Sequence, residues 1–303
     1  EWAGEVKRDG KPIPRLCFIM RDDYQWPADQ IEFDAKADLD RFKARVKADE
    51  VGFFSTPDDL ALQVTQALVP FLQRTNQTAL LPYLRWLHEG YLSSIGRCFD
   101  IGNATRSALA RYERSRDPFS GATDPYSAGN GSIMRLAPVP MFYAGDLPAA
   151  VAYAAESSRT THAAAECLDA CRLFAALLVA ALNGADKETI LSGPHDVLPP
   201  LSPKIQAIAD GAWRDKEIDQ IRGSGYVVDS LEAALWCFWR TDNYRDAVLA
   251  AVNLGEDADT TAAVCGQLAG AYYGVNGIPG HWLKAVVMGN EIRSLAERLM
   301  TKE

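Results

Sequence analysis

A chain of 303 residues, 48% hydrophobic and 23% charged, is long enough to bury a sizeable core and has the proportions of an ordinary globular protein. Its net charge of −9, from 31 basic and 40 acidic residues without a basic run, argues against general nucleic-acid binding, which needs a cationic stripe. The longest apolar stretch, 173–182, falls far short of the roughly 20 residues of a membrane span; membrane and collagen-like classes are set aside.

In chain order, residues 1–55 form a charge-dense region with Arg21-Asp22-Asp23 and a helix-like segment over 29–50, read either as a solvated helix or as a partner-binding arm. From 56 onward helix follows helix. Leu60, Val64, Ala67, Leu68 and Phe71 fall at helical spacing over 60–72, where Pro70 ends or kinks the helix. The run 163–182 is apolar nearly all round, which predicts a central buried helix. Further helices are expected over 231–240, 246–254, 261–272 and 291–299. Gly and Pro clusters mark loops at 117–131, 198–203 and 274–280, while 136–142 is ambiguous between strand and helix. There is no internal repeat, so 56–303 reads as one compact multi-helix, all-α domain. Cys17, Cys98, Cys167, Cys171, Cys237 and Cys265 form no CxxC pair. They read as reduced core thiols of a cytoplasmic protein.

Four clusters carry chemistry. Gly255-Glu256-Asp257-Ala258-Asp259-Thr260-Thr261 sets three oxygen ligands at the start of an apolar helix, a set suited to Mg²⁺ or Mn²⁺. The same residues would also serve as a plain helix cap. Thr56-Pro57-Asp58-Asp59 repeats the arrangement at another helix start, and two such starts converging would make a two-metal site. Over Gly90 to Asn103, Arg97, Asp100 and Asn103 stand among small residues, Asp100 and Asn103 either facing one cavity or closing a local turn. Ser127-Ala128-Gly129-Asn130-Gly131-Ser132-Ile133-Met134-Arg135 can offer backbone N–H groups to a phosphate, or simply turn the chain. His162 opens the central helix as a structural hydrogen-bonder or a catalyst, and Tyr226 is a packing anchor or a face for a base.

Taken together, the segments 90–103, 128–138, 157–162, 225–236 and 254–274 resemble the ADP-ribosylglycohydrolase family, near its dinitrogenase-reductase-activating branch. The resemblance implies an all-α fold, a two-metal centre of Mg²⁺ or Mn²⁺, and hydrolysis that frees ADP-ribose from a modified protein side chain, arginine above all. On it, Asp257, Asp259 and Thr260 hold the metal pair with Asp58 and Asp59. Asp100 is the acid/base or water-orienting carboxylate, with Asn103 beside it. Asn130, Gly131, Ser132 and Met134 line the diphosphate and ribose, His162 reaches the same region, and Tyr226 stacks on adenine. Where the family carries Thr-Asp-Asp-Thr, this chain reads Thr56-Pro57-Asp58-Asp59-Leu60. Two registers fit: Asp58-Asp59 as the acid pair, or Thr56 as the first threonine with Pro57 replacing an acid. The second register removes a ligand and points to an alternative, an ADP-ribose-binding or immunity protein of the same fold acting against an ADP-ribosyltransferase toxin.

Overall fold

Alanine and leucine dominate 165–182, and a helix apolar on every side has to be surrounded by others. The computed structural model describes residues 7–8, 11–12, 80–193 and 197–301. Outside these lie the expected helices at 29–50 and 60–72, Cys17, and the candidate ligands Thr56, Asp58 and Asp59.

The described residues form twelve α-helices: α1 (Leu81–Glu89), α2 (Asn103–Ser115), α3 (Pro138–Phe142), α4 (Leu147–Arg159), α5 (Ala165–Leu182), α6 (Lys187–Ser192), α7 (Pro203–Ala209), α8 (Val227–Trp239), α9 (Tyr244–Asn253), α10 (Ala258–Tyr273), α11 (Gly280–Ala285) and α12 (Gly289–Thr301). Beside them stands a two-residue antiparallel ladder, β1 (Lys7–Arg8) with β2 (Lys11–Pro12). The all-α expectation holds. The ambiguous run 136–142 resolves as helix, with Pro138 at the first turn of α3, where proline's fixed φ and missing N–H suit a helix start.

Helix α5 is the axis of the core. It buries Cys167, Ala170, Cys171, Leu173, Phe174, Leu177 and Leu178, and packs against α3, α4, α6, α7, α8 and α10. Its one buried acid, Asp169, is answered on both oxygens: Arg172 donates to Oδ1 at 2.7 Å and the Ser202 N–H to Oδ2 at 2.8 Å. That second bond ties the start of α7 to α5. Helices α8, α9 and α10 pack on one another, and a smaller cluster of Leu80, Tyr83, Leu109 and Tyr112 joins α1 to α2. Cys98, Cys167, Cys171, Cys237 and Cys265 are all free thiols, and the last four are buried. Among the described residues no helix is long and apolar enough to cross a membrane.

Candidate active site

The acidic end of the site begins at a sharp bend. Gly255 (φ 76°) and Glu256 (φ 57°) are both left-handed, and Asp257 follows at the N-cap position of α10. The bend is pinned by Asp257 N–H donating to Gly223 O at 2.7 Å and by an Arg222–Glu256 ion pair at 3.1 Å. Elsewhere this chain caps helices with side chains: Asp146 for α4, Asp186 for α6 and Asn243 for α9. Asp257 makes no such cap bond. Its carboxylate instead accepts from Asn130 Nδ2 at 2.6 Å, a residue 127 positions earlier in the chain. The plain-cap alternative for Asp257 is thereby answered.

Asp259 lies in the first turn of α10. Burial first, then the negative charge of Asp257, holds its carboxyl far above the usual carboxylate range, and Asp100 adds to the effect. Asp100 sits in a left-handed conformation (φ 45°) just before α2. Partial removal from water and then the Asp257 charge raise its carboxyl as well. Asp100, Asp257 and Asp259, which sequence places up to 159 positions apart, therefore feel one another's charge. Thr260 is buried beside them in the first turn. Asn103 is the first residue of α2 and is exposed.

The strip around Asn130 joins this acidic end to an aromatic one. Gly129 pairs with Tyr226 in an antiparallel bridge, Asn130 N–H donates to Gly225 O at 3.1 Å, and Val227 N–H to Ala128 O at 3.0 Å. Past that bridge opens a cavity of about 540 Å³, lined by Pro125, Tyr126, Ala128, Gly129, Glu166, Lys204, Gly225 and Tyr226. This is the size of a small-molecule site. Tyr126 on its rim is fully exposed at 101%.

Beneath the strip lies a buried polar layer. Ser132 is 2% exposed and its hydroxyl lies 2.8 Å from Ser158 Oγ, whose own proton goes to His162 O at 2.7 Å, so Ser132 donates to Ser158 and faces the core. Met134 is half-buried against the core, and its carbonyl accepts from Gln267 Nε2 at 2.9 Å. Arg135 donates to Gly131 O at 3.1 Å and to Thr161 Oγ1 at 2.6 Å. Thr161 Oγ1 also lies within hydrogen-bond distance of His162 Nδ1, 2.8 Å away. Burial first and the Arg135 charge second lower the His162 pKa to about 3. A Cβ on Gly131 would lie 2.8 Å from His162 Cε1, so only glycine lets the strip rest on that ring.

Sequence reasoning missed Glu166, Lys204 and Gln267. Gln267 offered one signal, a lone amide inside the apolar run of α10. Its side chain clamps the 133–137 turn, donating to Ile133 O and Met134 O and accepting from Ala137 N–H.

The oxygens of Asp257, Asp259 and Thr260 are hard donors of the kind a divalent cation takes. Among the described residues, however, no three His, Cys, Asp or Glu cluster tightly enough to cage an ion by themselves.

The ADP-ribosylglycohydrolase family model matches residues 21–303. The chain is 48% identical over 219 residues to ADP-ribosylarginine hydrolase Tri1 of Pseudomonas putida, covering 72% of this chain and 58% of that protein. It is 44% identical over 216 residues to ADP-ribosylarginine hydrolase Tri1 of Serratia proteamaculans, covering 71% and 58%. Against the ADP-ribosyl-dinitrogen reductase glycohydrolase of Rhodospirillum rubrum identity is 31%, over 67% of this chain and 66% of that one. A solved structure titled ADP-ribosylglycohydrolase-related protein complex superposes with a TM-score of 0.67 at 39% identity, over 80% of each chain. The chain thus spans about 58% of the length of the first two relatives. With the family model covering all but the first 20 residues, the chain belongs to the ADP-ribosylglycohydrolase family.

Proposed function

We propose that the chain is a metal-dependent hydrolase that removes ADP-ribose from arginine side chains of modified proteins. The observation that carries this reading is the Asp257 carboxylate. It stands at a helix start without capping it, is aimed by a buried asparagine, and is neighboured by two further carboxylates. The arginine linkage is supported by the likeness to two ADP-ribosylarginine hydrolases.

The bond broken joins the ribose anomeric carbon to a guanidine nitrogen. As it lengthens, positive charge grows on the ribose ring, and the Asp257 carboxylate opposes that charge. A water adds to the anomeric carbon, the guanidine leaves with a proton, and ADP-ribose and arginine result. Asp100 is suited to manage the proton, because its raised pKa brings it nearer the operating pH than an ordinary carboxylate. Asn130 holds Asp257 in place, and the glycines beside it leave room for the diphosphate and ribose. Asp257, Asp259 and Thr260 would hold one or two divalent cations, joined by Asp58, Asp59 and, in one register, Thr56. When bound, such cations supply charge that activates water and steadies substrate oxygens.

The test is release of ADP-ribose from arginine-linked and serine-linked peptides, in parallel, with and without Mg²⁺ or Mn²⁺. Turnover should need metal, favour the arginine linkage, and vanish in Asp257→Asn. Full turnover by that variant, or in chelator, would sink the reading.

A further inference from the structure

At the aromatic end of the cleft, three side chains form a network that the hydrolysis chemistry does not use. Glu166 comes from the first turn of α5, Lys204 from the first turn of α7, and Tyr226 from the N-cap position of α8. The Tyr226 hydroxyl donates to Glu166 Oε2, and Lys204 Nζ donates to that hydroxyl at 2.8 Å. Lys204 Nζ also lies 3.6 Å from Glu166 Oε1. The ammonium approaches the hydroxyl end of the ring, 4.9 Å from its centroid. The main chain of Tyr226 is fixed too, by the bridge to Gly129 and by its N–H donating to Ser224 Oγ at 3.2 Å.

The ring is therefore held at both ends, and it cannot swing from the cavity without breaking two side-chain bonds. An ion pair whose lysine side chain is 63% exposed contributes little to stability. All three residues line the cavity, the Tyr226 ring packing on the core as well.

We infer that Glu166 and Lys204 are positioning residues: they hold the Tyr226 ring as a fixed stacking platform for the purine of ADP-ribose. By consuming its hydroxyl, they make the platform read the base by its face and not by its edge. This rests on the reading of the cleft as an ADP-ribose site. Stacking on a fixed ring tolerates different bases, since every base has a π-face, so an etheno-modified adenine should be accepted.

The experiment compares full-length wild type with Lys204→Ala, Glu166→Gln, Tyr226→Phe, Tyr226→Ala and the Lys204→Ala/Tyr226→Phe double variant. It reads Kd for ADP-ribose by calorimetry, KM and kcat on an ADP-ribosylarginine peptide, and thermal melting. Tyr226→Ala should weaken ADP-ribose binding about 5- to 100-fold, the range of one lost base–aromatic stack. Lys204→Ala, Glu166→Gln and Tyr226→Phe should each raise Kd and KM about 3- to 10-fold, as expected for one side chain losing its preorganisation, with kcat held within about twofold. The double variant should be no weaker than either single. Etheno-ADP-ribose should bind within about threefold of ADP-ribose. The inference is overturned if the Lys204 and Glu166 variants bind as wild type does while melting lower, or if the double loss equals the product of the singles. A wild type that neither binds ADP-ribose nor releases it overturns the underlying reading, and this inference with it.

Discussion

His162 is a buried base that sequence alone leaves open between structure and catalysis, and its burial has a measurable consequence. In the unfolded chain an imidazole titrates near 6.5; in the fold, desolvation and Arg135 lower it to about 3. Below pH 6.5 the unfolded state therefore takes up a proton that the folded state refuses, and stability falls as pH falls. Integrated from pH 7.5 to pH 5, that uptake amounts to about 2 kcal/mol lost from the native state. Asp259 acts in the opposite direction. Its carboxyl is raised on folding, so acidification through the neutral range relieves the native state.

Comparing wild type with His162→Gln cancels the Asp259 contribution and isolates the imidazole. Glutamine keeps a neutral amide able to hydrogen-bond to Thr161 in either sense but cannot take up a proton. Urea unfolding at half-unit steps from pH 4.5 to 8 should show wild type losing about 2 kcal/mol more than the variant between pH 7.5 and 5. The variant will carry some constant packing loss, but the slope is the readout. Parallel curves would refute the burial argument and return His162 to the cleft.

Three further outcomes follow from the same geometry. Gly131→Ala places a Cβ against the buried His162 ring and should cost about 1–3 kcal/mol of stability by overpacking, read as a lowered melting temperature; an unchanged melt would mean the strip has slack. Asn130→Ala removes the donor that aims Asp257 and should lower kcat/KM for an ADP-ribosylarginine peptide about 10- to 100-fold, the worth of a hydrogen bond to a charged group. Mg²⁺ binding at pH 6 should release a proton, because burial and Asp257 keep the Asp259 carboxyl protonated there. Calorimetry in two buffers of different ionisation enthalpy reads this, with less release at pH 8.5, and a buffer-independent heat would contradict it.

Much of the helical frame is legible from sequence because its core is concentrated in a few apolar runs. The predicted helix at 163–182 is α5, and those at 246–254, 261–272 and 291–299 match α9, α10 and α12 to within three residues at each end. Helix α8 begins at Val227, four residues before the predicted 231, since Tyr226 at its cap is fixed by tertiary pairing that no local pattern shows. Helix α2 escapes a periodicity reading for another reason. It buries only Ala108, Leu109 and Tyr112, while three arginines and a glutamate stand among the polar and small residues of the rest of its surface. Short helices such as α6 and α11 are too brief to display a period.

The site divides along a different line. Motif reading finds the residues but cannot assign their sides. Asp257 and Asp146 both precede a helix, yet one caps and the other does not; the difference is a partner 127 residues away. Gly-Asn-Gly-Ser is likewise a strip with two faces. Asn130 turns to the acidic end, while Ser132, two positions on, turns down to Ser158. The downward layer of Ser132, Arg135, Thr161 and His162 is as polar as the upper one, so polarity gives no hint of which is which. Burial separates them: Ser132, Arg135, Thr161 and His162 are each at most 3% exposed, and a charged arginine at that depth is costly unless it is hydrogen-bonded. Arg135 Nη1 donates to Gly131 O and Nη2 to Thr161 Oγ1, while its buried Nε has no partner; the two bonds fix the strip from below. That fixed strip is what keeps Asn130 on Asp257 and Gly129 on Tyr226, so the inward polar layer sets the geometry that the outward one uses.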